Sequence, residues 1–220
     1  MPALMKRAYY SNTIQGFLHD SNSRLLGLLT EHHQFALEDL QRNAWMVQII
    51  LLKNLVADNL DCSGHIFFEY AIPRMGKRVD VVLLLGDVIF VLEFKVGEDS
   101  YHRTAVDQAV DYSLDLKNFH AQSHDRKIVP ILVSTNAPNF VNEPTIAVDQ
   151  VFTPLLANQH NLLSIIKSVP INFIDQINPA EWAGSIYKPT PTIIEAAQAL
   201  YRGHSVEEIS RSDSGAINLS

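Results

Sequence analysis

An apolar segment interrupted by isolated charges constrains the fold of this chain more than any other feature. Residues 78–95, RVDVVLLLGDVIFVLEFK, consist of two runs of mostly branched and aromatic residues on either side of Gly86-Asp87. Such runs favour β-strands, and a two-residue loop that begins with glycine is typical of a tight hairpin. The sequence therefore predicts two antiparallel strands, 78–85 and 88–95.

The two-residue turn also predicts which residues lie opposite one another. Counting back from the turn, Asp80 lies opposite Glu93. By the same count, Arg78 lies opposite Lys95. Directly opposed residues point to the same face with Cβ atoms about 4.5 to 5.5 Å apart, and residues two apart on one strand also share a face. We therefore expect two acids and two bases on one face, unless a bulge shifts the pairing by one residue.

Two opposed carboxylates in an apolar hairpin require a compensating charge, because they repel one another and are costly to bury unpaired. A divalent cation supplies that charge. Oxygen ligands of this kind suit Mg²⁺ or Mn²⁺, which also bind phosphate oxygens. Lys95 would lie close enough to stabilise developing charge or to help deprotonate an attacking water. The pattern therefore predicts a site for phosphodiester hydrolysis with Mg²⁺ or Mn²⁺ as cofactor.

The segments around the hairpin predict an α/β fold. Apolar residues recur at three- and four-residue steps in 35–58 and 104–119, whereas 65–72 and 127–135 are rich in branched and aromatic residues. The predicted elements are, in chain order, a helix over 35–58, strands over 65–72, 78–85 and 88–95, a helix over 104–119, and a strand over 127–135. An α-β-β-β-α-β order predicts a mixed sheet flanked by helices.

The rest of the chain gives weaker signals. We expect residues 1–30 to be an N-terminal extension, 31–140 the core, and 141–186 a C-terminal extension of the same domain. A helix is predicted near 155–167 and another near 192–201. The stretch 187–220 is interpreted as a linker, a short helix and a loose tail.

The acidic residues and their spacing resemble the PD-(D/E)XK nuclease superfamily. Its restriction-endonuclease-like core has the same α-β-β-β-α-β order, with an acid on the second strand, here Asp80, and (D/E)-x-K on the third, here Glu93-Phe94-Lys95. Val79, rather than proline, precedes Asp80. The resemblance implies that Asp80, Glu93 and the Phe94 main-chain carbonyl hold the metal, and that Lys95 serves the attacking water.

The resemblance also gives a role to Gln108 and Tyr112. Their Q-x-x-x-Y spacing on the second helix is similar to that of the exonuclease branch, where the pair lines the catalytic site. The alternative is a helix face that simply packs on the sheet, with Tyr112 in the core.

A wider pattern is similar to the nuclease-like region found N-terminal to Schlafen-type DNA/RNA helicase domains in bacterial proteins. It covers residues 30–140 and includes FEYAIPRMGKRVDVVLLLGDVIFVLEFKVG, DQAVDYSLDLKNFH and PILVST. This similarity implies a helicase or ATPase partner domain that the chain lacks. The chain is either a stand-alone relative or a piece of such a fusion.

Two further acids are candidates for the site. Glu38 lies near the stripe of the first helix, although a carboxylate at a helix start also favours the positive end of the dipole. Glu69 lies on the first predicted strand, and its alternative role is an ion pair with Arg74 or Arg78.

Three basic residues, Arg74, Lys77 and Arg78, form the best local cluster for a phosphate backbone; the alternative is ordinary solvated turn charges. The formal net charge of −7 argues against a generally basic, nucleic-acid-coating protein. A local basic strip or a bound metal ion could still serve a polyanionic substrate. Charge therefore leaves the choice of function open.

Several other function classes are excluded or disfavoured. The single cysteine excludes an intramolecular disulfide framework and a multi-cysteine zinc site, which fits a cytoplasmic location. The richest apolar runs are broken by Lys53 and by Gly86-Asp87, so no membrane span is expected. The pairs His32-His33 and His120/His124 lack a third ligand nearby, and no P-loop or dinucleotide motif is present.

Two functions remain after these exclusions. The first is a metal-dependent nuclease acting on DNA, with RNA as the alternative substrate. The second is a catalytically silent nucleic-acid-binding or interaction module with the same fold.

Overall fold

The protein is built on one six-stranded sheet. The computed structural model describes residues 7–31, 39–59 and 64–187. The strands lie in the order of the chain: β1 (Tyr10–Thr13), β2 (His65–Ile72), β3 (Lys77–Leu85), β4 (Val88–Lys95), β5 (Lys127–Ser134) and β6 (Leu155–Ala157). The pairs from β1 to β4 are antiparallel, and β4–β5 and β5–β6 are parallel. The fold is therefore α/β with an open mixed sheet.

Helices cover both faces of this sheet. They are α1 (Ile14–His19), α2 (Asn22–Glu31), α3 (Asp39–Asn59), α4 (Arg103–Phe119), α5 (Leu162–Ser168) and α6 (Pro179–Ala183). Apolar residues of α1, α2, α3 and α5 share a first core cluster with one face of the sheet. Residues of α4 and α6 share a second cluster with the other face.

The two core clusters explain why the central hairpin is apolar almost throughout. Leu83 and Phe90 belong to the first cluster, whereas Leu84 and Ile89 belong to the second. Successive side chains of a strand point to opposite faces, so a strand covered on both faces is apolar at nearly every position. The charged residues at its end are therefore exceptions that need an explanation.

The α-β-β-β-α-β order predicted from the sequence is confirmed as α3, β2, β3, β4, α4 and β5. The hairpin register is confirmed from Leu85 with Val88 to Val81 with Leu92, but the pairing does not extend to Asp80 with Glu93 or to Arg78 with Lys95. The turn needs glycine, because Gly86 has a φ of 53° and a Cβ there would lie 2.5 Å from the main-chain oxygen of Asn172.

The predicted helix over 155–167 is wrong at its start. Leu155–Ala157 form β6, which pairs in parallel with β5, and the helix begins only at Leu162. Asn158 separates the two elements, because its side-chain oxygen accepts hydrogen bonds from the main-chain N–H groups of His160 and Asn161. An asparagine that binds the following backbone in this way favours a turn over a continuous helix.

The N-terminal residues belong to the same sheet and core as the rest of the fold. Residues assigned to the N-terminal extension supply β1, which pairs with β2, and two helices that pack in the first cluster. The predicted helix near 192–201, Glu38 and His32-His33 lie outside the described residues. Among the described residues, no helix is both long and apolar enough to cross a membrane.

Candidate functional site

Glu93 and Lys95 lie at the end of β4, where the apolar run stops. Glu93 is 2% exposed, and its Oε1 accepts a hydrogen bond of 2.9 Å from the ammonium group of Lys95. The other carboxylate oxygen, Oε2, is buried and has no hydrogen-bond partner. Since buried polar atoms are nearly always satisfied, this oxygen requires an explanation.

Asp80 lies beside the same strand end. Its Oδ2 accepts a hydrogen bond of 2.7 Å from the main-chain N–H of Phe94. The β3–β4 pairing ends at Val81 with Leu92, one step before Asp80 would face Glu93. The Asp80 side chain therefore binds the backbone of β4 just beyond the end of the β3–β4 pairing.

The Phe94 main chain is directed toward this acid. In an extended strand, the N–H and C=O of one residue point to the same side. The Phe94 N–H binds Asp80, whereas the carbonyl of the next residue, Lys95, accepts from Thr135 beyond β5. Regular extended geometry would direct the Phe94 carbonyl to the same side as Asp80, and its role as a metal ligand stays a prediction.

The two carboxyl groups influence each other's protonation. Burial raises the pKa of Asp80 well above its ordinary value, and the charge of Glu93 raises it further, against the Phe94 hydrogen bond. Burial also raises the pKa of Glu93, although Lys95 opposes this shift. A pair of this kind favours an added positive charge, whether a proton or a cation.

Glu69 on β2 adds a third negative charge to the site. Its Oε1 accepts a hydrogen bond of 2.8 Å from the indole N–H of Trp45 on α3. The guanidinium of Arg78 donates to the Glu69 main-chain carbonyl at 2.6 Å. The sequence suggested an ion pair with Arg78 as the alternative role of Glu69, and Arg78 does contact this residue, but at its backbone oxygen.

The alternation of side chains between the two faces of the sheet is interrupted in β2 at Glu69 and in β3 at Asp80. Phe68 on β2 and Val81 on β3 pack in the first core cluster. Tyr70 and Val79, each two residues away on the same strand, pack in the second. Regular alternation would leave residues two apart on the same face. The β2–β3 register continues unchanged on both sides but does not include this pair. Both strands are therefore locally distorted at the two acidic positions.

Gln108 and Tyr112 lie one turn apart on α4 and are hydrogen-bonded to each other. The Gln108 amide donates to the Tyr112 hydroxyl at 2.8 Å, and Tyr112 belongs to the second core cluster. Burial raises the pKa of Tyr112 to about 12, and the three carboxylates contribute to the shift in the same direction. Tyr112 therefore packs on the sheet, as one alternative expected, whereas a role of the Gln108/Tyr112 pair in lining a catalytic site stays a prediction.

The predicted basic cluster is divided among different contacts. The Arg78 guanidinium donates to two main-chain carbonyls and lies 4.1 Å from the centre of the Tyr9 ring. Arg74 stacks over Phe119 at 3.4 Å. Lys77 is exposed. Arg78 is thus engaged inside the protein, and phosphate binding by the cluster stays a prediction.

Clustered His, Cys, Asp and Glu side chains are the usual protein ligands of metal ions. Within residues 7–31, 39–59 and 64–187, no three His, Cys, Asp or Glu side chains form a ready-made metal cluster. His120 is buried, and its Nδ1 lies 2.7 Å from the Ser123 hydroxyl. The site accordingly offers two close carboxylates and a carbonyl, with Glu69 as an additional charge.

Sequence reasoning missed Trp45 as a site residue. Its position in the helical stripe predicted only a core side chain, and it is indeed 1% exposed. Its contact with Glu69 joins residues 24 positions apart in the sequence. No local sequence pattern predicts a contact between residues so far apart in the chain.

Comparisons with protein-family models, curated proteins and solved structures find no match for this chain. The site's own residues therefore carry the functional proposal.

Proposed function

We propose that this chain is a metal-dependent nuclease domain with a restriction-endonuclease-like core, which hydrolyses phosphodiester bonds in DNA, with RNA as the alternative substrate. The observation that carries the proposal is the buried Glu93 carboxylate, which has Lys95 on one oxygen and no partner on the other. The buried carboxyl group of Asp80, whose pKa the charge of Glu93 raises further, supports it.

The residues present fit Mg²⁺ or Mn²⁺. Both ions prefer oxygen ligands and bind through one or two carboxylates, with remaining positions left for water and phosphate. Asp80, Glu93 and the Phe94 carbonyl would hold the ion, and the unpartnered Oε2 of Glu93 supplies an oxygen with no competing contact. When bound, the ion would neutralise the two acids and stabilise negative charge on the phosphate.

Lys95 is proposed to act on the attacking water. Its side chain is 34% exposed, so it is accessible from solvent, and its ammonium group is oriented by Glu93. A lysine in this position can hold a proton near the reacting oxygens and stabilise their negative charge. Gln108 and Tyr112 would help to orient the substrate from α4.

Substrate affinity is proposed to depend partly on a partner. The net charge of −7 disfavours tight, unassisted binding to a polyanion. Lys77 and Arg74 would contact phosphates, and a helicase or ATPase domain would supply further contacts. We propose that the protein acts in the cytoplasm and without a membrane partner.

A catalytically silent module with the same fold is the second candidate. It is favoured by the lack, in the described part of the chain, of three clustered metal-binding side chains. Such a module would bind nucleic acid or another protein without cleaving it.

A cleavage assay separates the two candidates. Labelled linear, circular and single-stranded DNA, and a single-stranded RNA, are incubated with the purified protein in Mg²⁺, Mn²⁺ or EDTA. The nuclease proposal predicts products with either metal and none with EDTA or with the Asp80→Asn, Glu93→Gln variant. Wild-type protein that binds these substrates in Mn²⁺ but cuts none of them would favour the module.

A further inference from the structure

Glu69 has an unusual backbone conformation for a residue within a strand. Its φ is 53°, in the left-handed region that favours glycine. Such conformations persist only where the surrounding contacts determine them, and they are concentrated at functional sites. Gln150 is the other non-glycine residue with positive φ among the described residues, and it lies in a turn.

Two contacts hold Glu69 from different sides. The indole N–H of Trp45 binds its carboxylate at 2.8 Å, and the guanidinium of Arg78 binds its carbonyl at 2.6 Å. Trp45 is a fixed support, because its side chain is buried in the first core cluster between α3 and the sheet. The Trp45 hydrogen bond therefore links the Glu69 carboxylate to the packing of α3.

The carboxylate held in this way acts electrically on the proposed metal site. Glu69 on β2 lies beside Asp80 on β3, because the pairs on either side of them, Phe68 with Val81 and Tyr70 with Val79, keep one register. The negative charge of Glu69 is therefore next to one of the two proposed metal ligands. Glu69 does not form a three-member metal cluster with them in the described structure. A carboxylate this near adds to the negative potential at the site, which favours a bound cation.

We propose that Trp45 is a positioning residue of the site, and that its indole N–H holds Glu69 where the carboxylate strengthens cation binding by Asp80 and Glu93. This inference rests on the proposed function, since it requires a cation at those two acids. Groups that orient or surround metal ligands affect metal affinity strongly, commonly by about 10- to 100-fold. The alternative is that Trp45 is only a core side chain with a satisfied N–H.

Calorimetric titration with Mn²⁺ tests the proposal on four proteins: wild type, Glu69→Gln, Trp45→Phe and the double variant. Glu69→Gln removes the charge and keeps a hydrogen-bond acceptor, whereas Trp45→Phe removes the donor and keeps a buried ring. We expect each single variant to bind Mn²⁺ more weakly, on the order of 10-fold. The double variant should bind no more weakly than Glu69→Gln, because Trp45 acts through Glu69.

Trp182→Phe is the matched control. Trp182 is also fully buried, and its indole N–H also binds a side-chain oxygen, the Ser123 hydroxyl at 2.9 Å, but in the second cluster. This variant should lose stability while keeping wild-type Mn²⁺ affinity. It also leaves Trp45 as the sole tryptophan of the chain, so the emission reports the environment of its indole, which includes the Glu69 contact.

The fluorescence measurement keeps the proposal testable if Trp45→Phe fails to fold. Mn²⁺ should change the emission of Trp182→Phe, and adding Asp80→Asn should abolish the change. Wild-type Mn²⁺ affinity in Glu69→Gln or Trp45→Phe, with weakened binding in Asp80→Asn, would overturn this inference and leave the proposed function standing. Wild-type protein that binds no Mn²⁺ would overturn both.

Discussion

Replacing Glu69 by glycine and by alanine provides a direct measure of backbone strain at the site. Both changes remove the carboxylate and its bond to Trp45, so these losses cancel when the two variants are compared. The remaining difference is the Cβ atom at a backbone φ of 53°. We expect Glu69→Gly to be more stable than Glu69→Ala.

The expected magnitude follows from two opposing terms. A residue with a Cβ pays roughly 1 to 2 kcal/mol in the left-handed region, which glycine avoids. Glycine in turn loses more conformational freedom on folding, which costs about 0.5 to 1 kcal/mol relative to alanine. Glu69→Gly should therefore have the larger free energy of unfolding, by about 1 kcal/mol.

Urea denaturation of both variants, followed by circular dichroism, measures this difference. The matched control is Ala71→Gly, two residues along the same strand and outside the left-handed region. There the order should reverse, with a loss of roughly 0.5 to 1 kcal/mol for glycine. Equal stability of the two Glu69 variants, or greater stability of Glu69→Ala, would refute the assignment of strain to this position.

Three further predictions concern pH, metal and the hairpin turn. Burial, with a smaller effect of the nearby Arg7 charge, lowers the pKa of His120 to about 3. As the pH drops below about 6.5, the His120 side chain takes up a proton in the unfolded chain but not in the folded one. The free energy of unfolding therefore decreases as the pH is lowered. Lowering the pH from 8 to 5 should reduce the free energy of unfolding by about 2 kcal/mol. Urea denaturation should show this reduction in the wild type and in the control His160→Gln, whose histidine is exposed, but not in His120→Gln. Mn²⁺ at about 100 times its Kd should raise the melting temperature in calorimetry by roughly 5 to 10 °C, and no rise is expected in the Asp80→Asn, Glu93→Gln variant. Gly86→Ala should lower the unfolding free energy by more than about 1 kcal/mol, since it combines a left-handed φ with a 2.5 Å approach to Asn172; an unchanged urea midpoint would contradict this.

The hairpin shows how much of this fold local sequence can predict. A two-residue turn beginning with Gly86 allows one register for the strands beside it, and the pairing of Val81 with Leu92 follows that register. Continuous apolar runs also predict strands covered on both faces. These properties depend on neighbours in the sequence, which is why they could be predicted.

The finer geometry of the site depends on distant contacts instead. The distortion at Glu69 and Asp80 replaces a ladder pair by hydrogen bonds from Trp45 and from the Phe94 backbone. Arg78, predicted as a phosphate contact, binds main-chain oxygens that include one of Arg7, 71 residues away. Propensity and spacing contain no information about such partners, so the acids could be predicted but their supports could not.

The predicted start of the helix over 155–167 was wrong for a related reason. Apolar residues in 155–157 fit either a helix or a short buried strand, because periodicity cannot distinguish them over so few residues. Pairing with β5 decides in favour of the strand, and Asn158 then starts a turn before α5.

The most direct test of the nuclease proposal compares two lysines that differ in position but form similar ion pairs. Lys95 forms a 2.9 Å ion pair with Glu93 and is 34% exposed; Lys127 forms a 2.9 Å ion pair with Asp87 and is 27% exposed, at the other end of the parallel β4–β5 pair. Single-turnover cleavage of labelled DNA in Mn²⁺ is measured for Lys95→Ala and Lys127→Ala. The account predicts a rate loss of roughly 100-fold or more for Lys95→Ala with Mn²⁺ binding retained, and a near wild-type rate for Lys127→Ala. Equal cleavage rates for Lys95→Ala and wild type would contradict it.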